Sequence, residues 1–146
     1  MLAKEIMTAD IINVMPETPI KEAARQMALH NVGALPVYDG NKIHGIVTDR
    51  DLTTRALAEG ADANTTKVSD VMTNHCVTCS ENTAVEKAVK LMEKNAVRRL
   101  VVTKDGDADA PVGIFSLDDI ARKSNDPKLS GRAFLRLNKK PRRLAS

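Results

Sequence analysis

Met7-Thr8 returns as Met72-Thr73, Thr18 as Thr83, Ala23 as Ala88, Met27 as Met92 and Leu35-x-Val37 as Leu100-x-Val102, each 65 residues later. The spacing then slips by three. Gly45-Ile46-Val47-Thr48-Asp49-Arg50-Asp51-Leu52 comes back as Gly113-Ile114-Phe115-Ser116-Leu117-Asp118-Asp119-Ile120, which places a three-residue insertion in the Asp105 to Ala110 turn. A unit of about 60 residues is too small to cover both of its own faces, so a tandem pair that packs copy against copy is the expected fold. The polar pair closing each copy is where ligand chemistry could sit.

Hydrophobic periodicity orders each copy in the same way. Ala3 to Met7 reads as a short lead-in helix and Ile11 to Met15 as a strand stopped by Pro16. Thr18 and Pro19 are read as the N-cap and first-turn proline of a helix with a stripe of Ile20, Ala23, Ala24, Met27 and Ala28. Leu35 to Tyr38 and Lys42 to Val47 make two strands joined at Asp39-Gly40-Asn41, a hairpin signal, and Asp49 to Leu57 is helical. The second copy has a lead-in at Val68 to Met72, a strand at Cys76 to Thr78, and a helix capped by Thr83 that carries Val85, Ala88, Val89 and Met92. Leu100 to Thr103 and Val112 to Ser116 pair next, and Leu117 to Lys123 is helical. The fold class is therefore α/β, two β-α-β-β-α repeats: 1–61, a linker at 62–66, and 67–124, followed by a basic tail at 125–146.

With 42% hydrophobic but only 2% aromatic residues, the core has to be aliphatic and methionine-rich. No apolar run approaches the ~20 residues of a membrane span, and no signal-peptide pattern opens the chain, so a cytoplasmic location is expected. The net charge of +3 divides unevenly: residues 127–146 hold seven basic side chains and no acidic one, which leaves 15 basic against 19 acidic, or −4, before them. Such a tail can bind nucleic acid or anionic lipid, but its commonest reading is a solvated or partner-facing appendage; nucleic acid is the less favoured reading and no membrane is expected. Leu129, Ala133 and Leu137 fall at i, i+4 and i+8, an amphipathic stripe expected to contact a dimer mate.

The lead-ins ending in Met-Thr, the Gly33-Ala34-Leu35-Pro36-Val37 strand and the doubled Gly-hydrophobic-x-Thr/Ser-x-x-Asp ending resemble a pair of cystathionine beta-synthase (CBS) domains, the Bateman module, over residues 1 to about 124. The layout is similar to small stand-alone bacterial CBS-pair proteins. The resemblance implies two repeats packed sheet to sheet about a pseudo-twofold axis, no catalysis, and adenine-nucleotide binding in the clefts between repeats.

The polar endings support ligand chemistry in their own right. Thr48 stands where a strand gives way to a helix, and the unpaired N–H groups there favour an anion. Asp51, one turn in, can accept both hydroxyls of a ribose. Ser116 and Asp119 repeat the pair. Plain helix capping explains the same residues.

Carried over residue by residue, the resemblance gives a main cleft of Thr8, Ile12, Val32, Gly33, Ala34, Arg98, Arg99, Ser116 and Asp119, and a weaker second cleft of Thr48, Asp51, Thr73, Val77 and Val97. Small Gly33 and Ala34 would leave room for adenine, and Arg98 and Arg99 would hold phosphates. The implied ligand is AMP, ADP or ATP, with or without magnesium, ahead of NAD or S-adenosylmethionine; no cofactor or metal is expected. Output would pass through a homodimer or an unidentified effector protein.

His75-Cys76-x-x-Cys79 leaves three readings open: buried inert thiols, a redox pair, or part of a zinc site lacking its other ligands. No nucleophile-base-orienter arrangement or carboxylate pair suggests an enzyme. The rival reading is a structural or stress-associated dimer with empty clefts, regulated through Cys76 and Cys79. Binding of nucleic acid by the tail is a further alternative.

Overall fold

A computed structural model of the chain describes residues 1–139. Lys140, Arg142 and Arg143 of the basic tail lie outside the described residues. The first half runs α1 (Ala3–Ile6), β1 (Thr8–Ala9), α2 (Ile20–His30), β2 (Ala34–Tyr38), β3 (Ile43–Thr48) and α3 (Asp49–Asp51), which continues as a π-helical segment, Leu52–Leu57. The second half runs α4 (Val68–Val71), β4 (Thr78–Ser80), α5 (Val85–Asn95), β5 (Arg99–Lys104), β6 (Asp107–Ser116), α6 (Leu117–Lys123) and α7 (Pro127–Lys139). None of these helices is long and apolar enough to cross a membrane.

The chain folds as two compact units that do not coincide with the two halves of the sequence. Among the described residues, one unit holds residues 12–76 and the other combines Met1–Ile11 with residues 77–139. Each lead-in therefore belongs with the opposite repeat. In the larger unit β1 pairs antiparallel with β6 through Thr8–Ile114 and Ala9–Gly113, completing a sheet of order β1-β6-β5-β4. In the other unit Thr73 exchanges both backbone hydrogen bonds with Ile46 of β3, at 2.9 and 3.1 Å.

The glycines opening each repeated ending permit this docking. A methyl on Gly45 would stand 2.0 Å from the Thr73 carbonyl oxygen, and one on Gly113 would stand 2.5 Å from the Met7 sulfur and 2.9 Å from the Thr8 carbonyl oxygen.

Each unit closes over its own hydrophobic core, aliphatic in the smaller one and joined by Phe115 in the larger. Val14, Ile20, Ala23, Met27, Leu35, Val37, Val47, Ala56, Val68 and Val71 fill the smaller one. Ala3 and Ile6 of α1 join Val85, Ala88, Met92, Leu100, Phe115 and Ile120 in the larger one.

Several expectations from sequence need correction. Ile11 to Met15 is not a strand; it makes a single parallel bridge, Val14 to Val37. At the corresponding place in the second repeat Val101 donates its N–H to the Val77 carbonyl at 3.1 Å. Pro36 has no N–H to give, so the first ladder stops where the second, β4 to β5, continues. The β4 strand itself starts at Thr78 rather than Cys76.

Thr18 and Thr83 are not the helix caps. Pro19 and Ala84 occupy those positions. The free first-turn donors are met by backbone instead: Ile20 N–H bonds the Thr66 carbonyl at 2.9 Å, and Val85 N–H bonds the Met1 carbonyl at 3.0 Å. Ala24 and Ala28 are exposed, leaving Ile20, Ala23 and Met27 as the buried stripe of α2.

The three-residue insertion is absorbed inside β6. Thr103 pairs with Pro111 and the next residue, Lys104, with Asp107, so Ala108 to Ala110 bulge out of the ladder. On α7, Leu129, Ala133 and Leu137 are buried in the core of the chain's own larger unit, so this stripe does not serve a dimer mate. Ser130 Oγ donates to the Ile120 carbonyl at 3.2 Å, Arg136 pairs with Glu93 at 3.2 Å, and Arg98 bonds Asn138.

Candidate functional site

The repeated ending builds the same corner in both units. Thr48 ends β3 in an extended conformation, and its Oγ1 accepts the Asp51 N–H at 3.1 Å while Asp51 Oδ2 accepts the Thr48 N–H at 2.9 Å. Ser116 and Asp119 make the same reciprocal pair at 3.2 and 2.9 Å, and Ser116 Oγ also reaches Asp119 Oδ2 at 2.9 Å. These are capping boxes, with the shorter Asp in place of the more common Glu. Both carboxylates are buried, at 0% and 1% exposure, which makes the charged oxygens dependent on protein donors.

Two cations absent from the sequence reading supply further contacts. Four residues beyond each Asp, Arg55 Nε lies 3.9 Å from Asp51 Oδ1 and Lys123 Nζ lies 3.5 Å from Asp119 Oδ1. Each also reaches a lead-in carbonyl: Arg55 donates to Met72 at 3.2 Å and Val71 at 3.4 Å, and Lys123 to Met7 at 3.4 Å. The signal was present, since Arg55 and Lys123 occupy the same place in the two copies and follow an acid at i+4.

The larger unit brings Thr8, Ser116 and Asp119 into one hydrogen-bonded cluster, with Thr8 Oγ1 donating to Asp119 Oδ1 at 3.2 Å. Arg99 is registered opposite Ser116 on the β5–β6 ladder, and the Arg98 carbonyl accepts the Leu117 N–H at 3.1 Å. Val77 and Val97 pack on the core of this unit. The smaller unit carries Ile12, Val32, Gly33, Ala34, Thr48, Asp51 and Thr73. There Ala34 is registered opposite Thr48, the Gly33 carbonyl accepts the Asp49 N–H at 3.0 Å, and a methyl on Gly33 would meet Asp49 Oδ2 at 3.0 Å.

Cys76 is half-buried and Cys79 buried; both are free thiols, and burial raises the pKa of each, away from the reactive thiolate. Among the described residues no cluster of three or more His, Cys, Asp or Glu is placed to hold a metal. His44 is half-buried and its Nε2 lies 2.6 Å from Asp39 Oδ2.

A model of the CBS domain family matches residues 3–57 and 68–126, both repeats. The CBS domain-containing protein YhcV of Bacillus subtilis is 36% identical over 135 residues, covering 92% of this chain and 94% of its own. The structure of Hypoxic Response Protein I with two coordinated zinc ions superimposes with a TM-score of 0.72 at 32% identity, covering 84% of this chain and 98% of that one. The CBS domain pair of protein MJ0100, in complex with 5′-methylthioadenosine and S-adenosyl-L-methionine, gives 0.72 at 30% identity over 84% of this chain and 94% of that one. A hexameric CBS-CP12 protein from bloom-forming cyanobacteria gives 0.74 at 27% identity over 84% of this chain and 67% of that one.

Proposed function

The chain belongs to the CBS domain family, and on that premise we propose that it is a non-catalytic regulatory module that binds an adenine nucleotide, AMP, ADP or ATP, at Ser116 and Asp119. The observation carrying this reading is the state of the Asp119 carboxylate, which is buried yet held at Oδ1 by a threonine hydroxyl and a lysine ammonium. A ribose diol presents two hydroxyl donors that can bond the carboxylate in place of the threonine hydroxyl, while the Lys123 ammonium beside it still offsets its charge. The adenosyl ligands of the MJ0100 pair support the ligand class.

In this proposal Thr8, Arg98 and Arg99 act with Ser116 and Asp119, and Ile12, Val32, Gly33 and Ala34 keep the roles that the family resemblance gives them. The set of Thr48, Asp51, Thr73, Val77 and Val97 is the weaker site. Binding would favour one conformation of the module, and a homodimer mate or effector protein would read it.

Isothermal titration with AMP, ADP, ATP, NAD and S-adenosylmethionine tests this, with circular dichroism confirming that each variant folds. Asp119→Ala should weaken the best ligand at least about tenfold, or roughly 1.4 kcal/mol, and Asp51→Ala clearly less. Equal losses would remove the ranking of the sites, and no binding by any of the five would defeat the reading. The second reading, a structural or stress-associated dimer with empty clefts, draws on the capping boxes, in which Thr48 and Ser116 already satisfy the helix N-termini without a ligand.

A further inference from the structure

Helix α7 follows the last residue of the family match, and its outer face is unlike its inner one. Inside, Leu129, Ala133 and Leu137 are covered and Arg136 is paired with Glu93. Outside, Lys128, Arg132, Leu135 and Lys139 fall at i, i+4, i+7 and i+11, a single exposed stripe. Phe134 and Leu135 are 54% and 60% exposed. Lys128, Arg132 and Lys139 form no ion pair among the described residues, and the helix contains no acid.

Gly131 is the informative residue. Glycine in a helix interior is unfavourable, and here nothing in the chain calls for it: a methyl at that position would meet no atom within 4 Å. Phe134 and Leu135, three and four residues on, flank it on the helix surface. The result is a patch of bare backbone between two apolar walls with three unpaired cations beside it.

We propose that this face is a docking surface for an acidic protein segment that seats an apolar side chain over Gly131. Charge selects the occupant. Three unneutralised cations repel the same face of a second copy and attract carboxylates, while the apolar walls reward a side chain that a phosphate backbone does not have. The outer face has too little continuous apolar surface to insert into lipid, because the wide apolar stripe of α7 is already buried in the protein.

The test uses the full chain and a fluorescein-labelled 14-residue peptide with leucines at helical spacing and glutamates elsewhere. Anisotropy should show micromolar binding that weakens with salt. Gly131→Ala should reduce affinity about tenfold or more while raising the melting temperature, since alanine is the better helix former; Arg132→Glu should also weaken binding at an unchanged melting temperature. Because the Gly131 variant gains stability, loss of binding cannot come from misfolding. The proposal is overturned if the peptide does not bind, if either substitution leaves affinity unchanged, or if anionic vesicles or a single-stranded oligonucleotide bind this face more tightly. Sedimentation showing self-association abolished by Gly131→Ala would likewise overturn it in favour of a second copy. Nucleotide binding at Asp119 plays no part in any of these outcomes.

Discussion

Gly45 and Gly131 are glycines for opposite reasons. At Gly45 the Thr73 carbonyl is so close that a methyl would stand 2.0 Å from its oxygen, and the oxygen belongs to backbone that is itself hydrogen-bonded to Ile46. Gly45→Ala should therefore cost about 2–3 kcal/mol in urea unfolding, as an overpacked site that cannot give way; a cost below 0.5 kcal/mol would show that the lead-in contact is loose. The Asp39–His44 pair makes a second residue-level prediction. The His44 side chain, followed by the N–H groups of Lys42 and Asn41, holds the Asp39 carboxyl well below the usual carboxylate range. A depressed folded pKa contributes stability above the unfolded value, about pH 4, and that contribution is lost as pH falls through the folded value. In His44→Ala the Asp39 carboxyl should titrate closer to its ordinary range by NMR; an unchanged titration would mean that the backbone donors alone set it. Thr48, Asp51, Ser116 and Asp119 were legible because they recur, whereas Arg55 and Lys123 were missed because different side chains do the same work.

Among the elements, α2 and α5 are equal in length and end alike, but not on equally suited residues. Asn31 and Ala96 both close their helices in the left-handed region at φ 53°. Asparagine tolerates that conformation; alanine is strained by its Cβ. Ala96→Gly should raise stability by about 0.5–1 kcal/mol in urea unfolding, the relief of strain exceeding the added chain entropy. A loss of stability would show that the methyl contributes more by packing than it costs by strain. The helices and the β2–β3 and β5–β6 hairpins were readable from apolar spacing and turn residues. The first strand of repeat one was not, because its pattern is strand-like and only its partner, Pro36, withholds the bond that would extend it.

For the whole molecule the decisive fact is that residues 1–11 fold with the second repeat. Ala3 and Ile6 sit in the core with Val85, Phe115 and Ile120, and β1 covers the edge of β6. Deleting residues 1–9 should destabilise the unit containing Val77 onward, and hydrogen exchange should show lost protection at Gly113 to Phe115 while Leu35 to Val47 stays protected. The reverse pattern would mean that each lead-in serves its own repeat. Sequence alone determined the duplicated helix, hairpin and closing helix of each repeat, the capped polar corners and the place of the insertion, since these depend on local period and turn chemistry. Which lead-in docks on which hairpin was implied only by the family resemblance, which grouped Thr8 with Ser116 and Asp119, and it is the tertiary structure that makes the pairing. Met7-Thr8 and Met72-Thr73 face two near-identical receptors, Gly45-Ile46 and Gly113-Ile114, so no local pattern distinguishes the pairings. The structure resolves that degeneracy by packing each lead-in against the core of the opposite repeat.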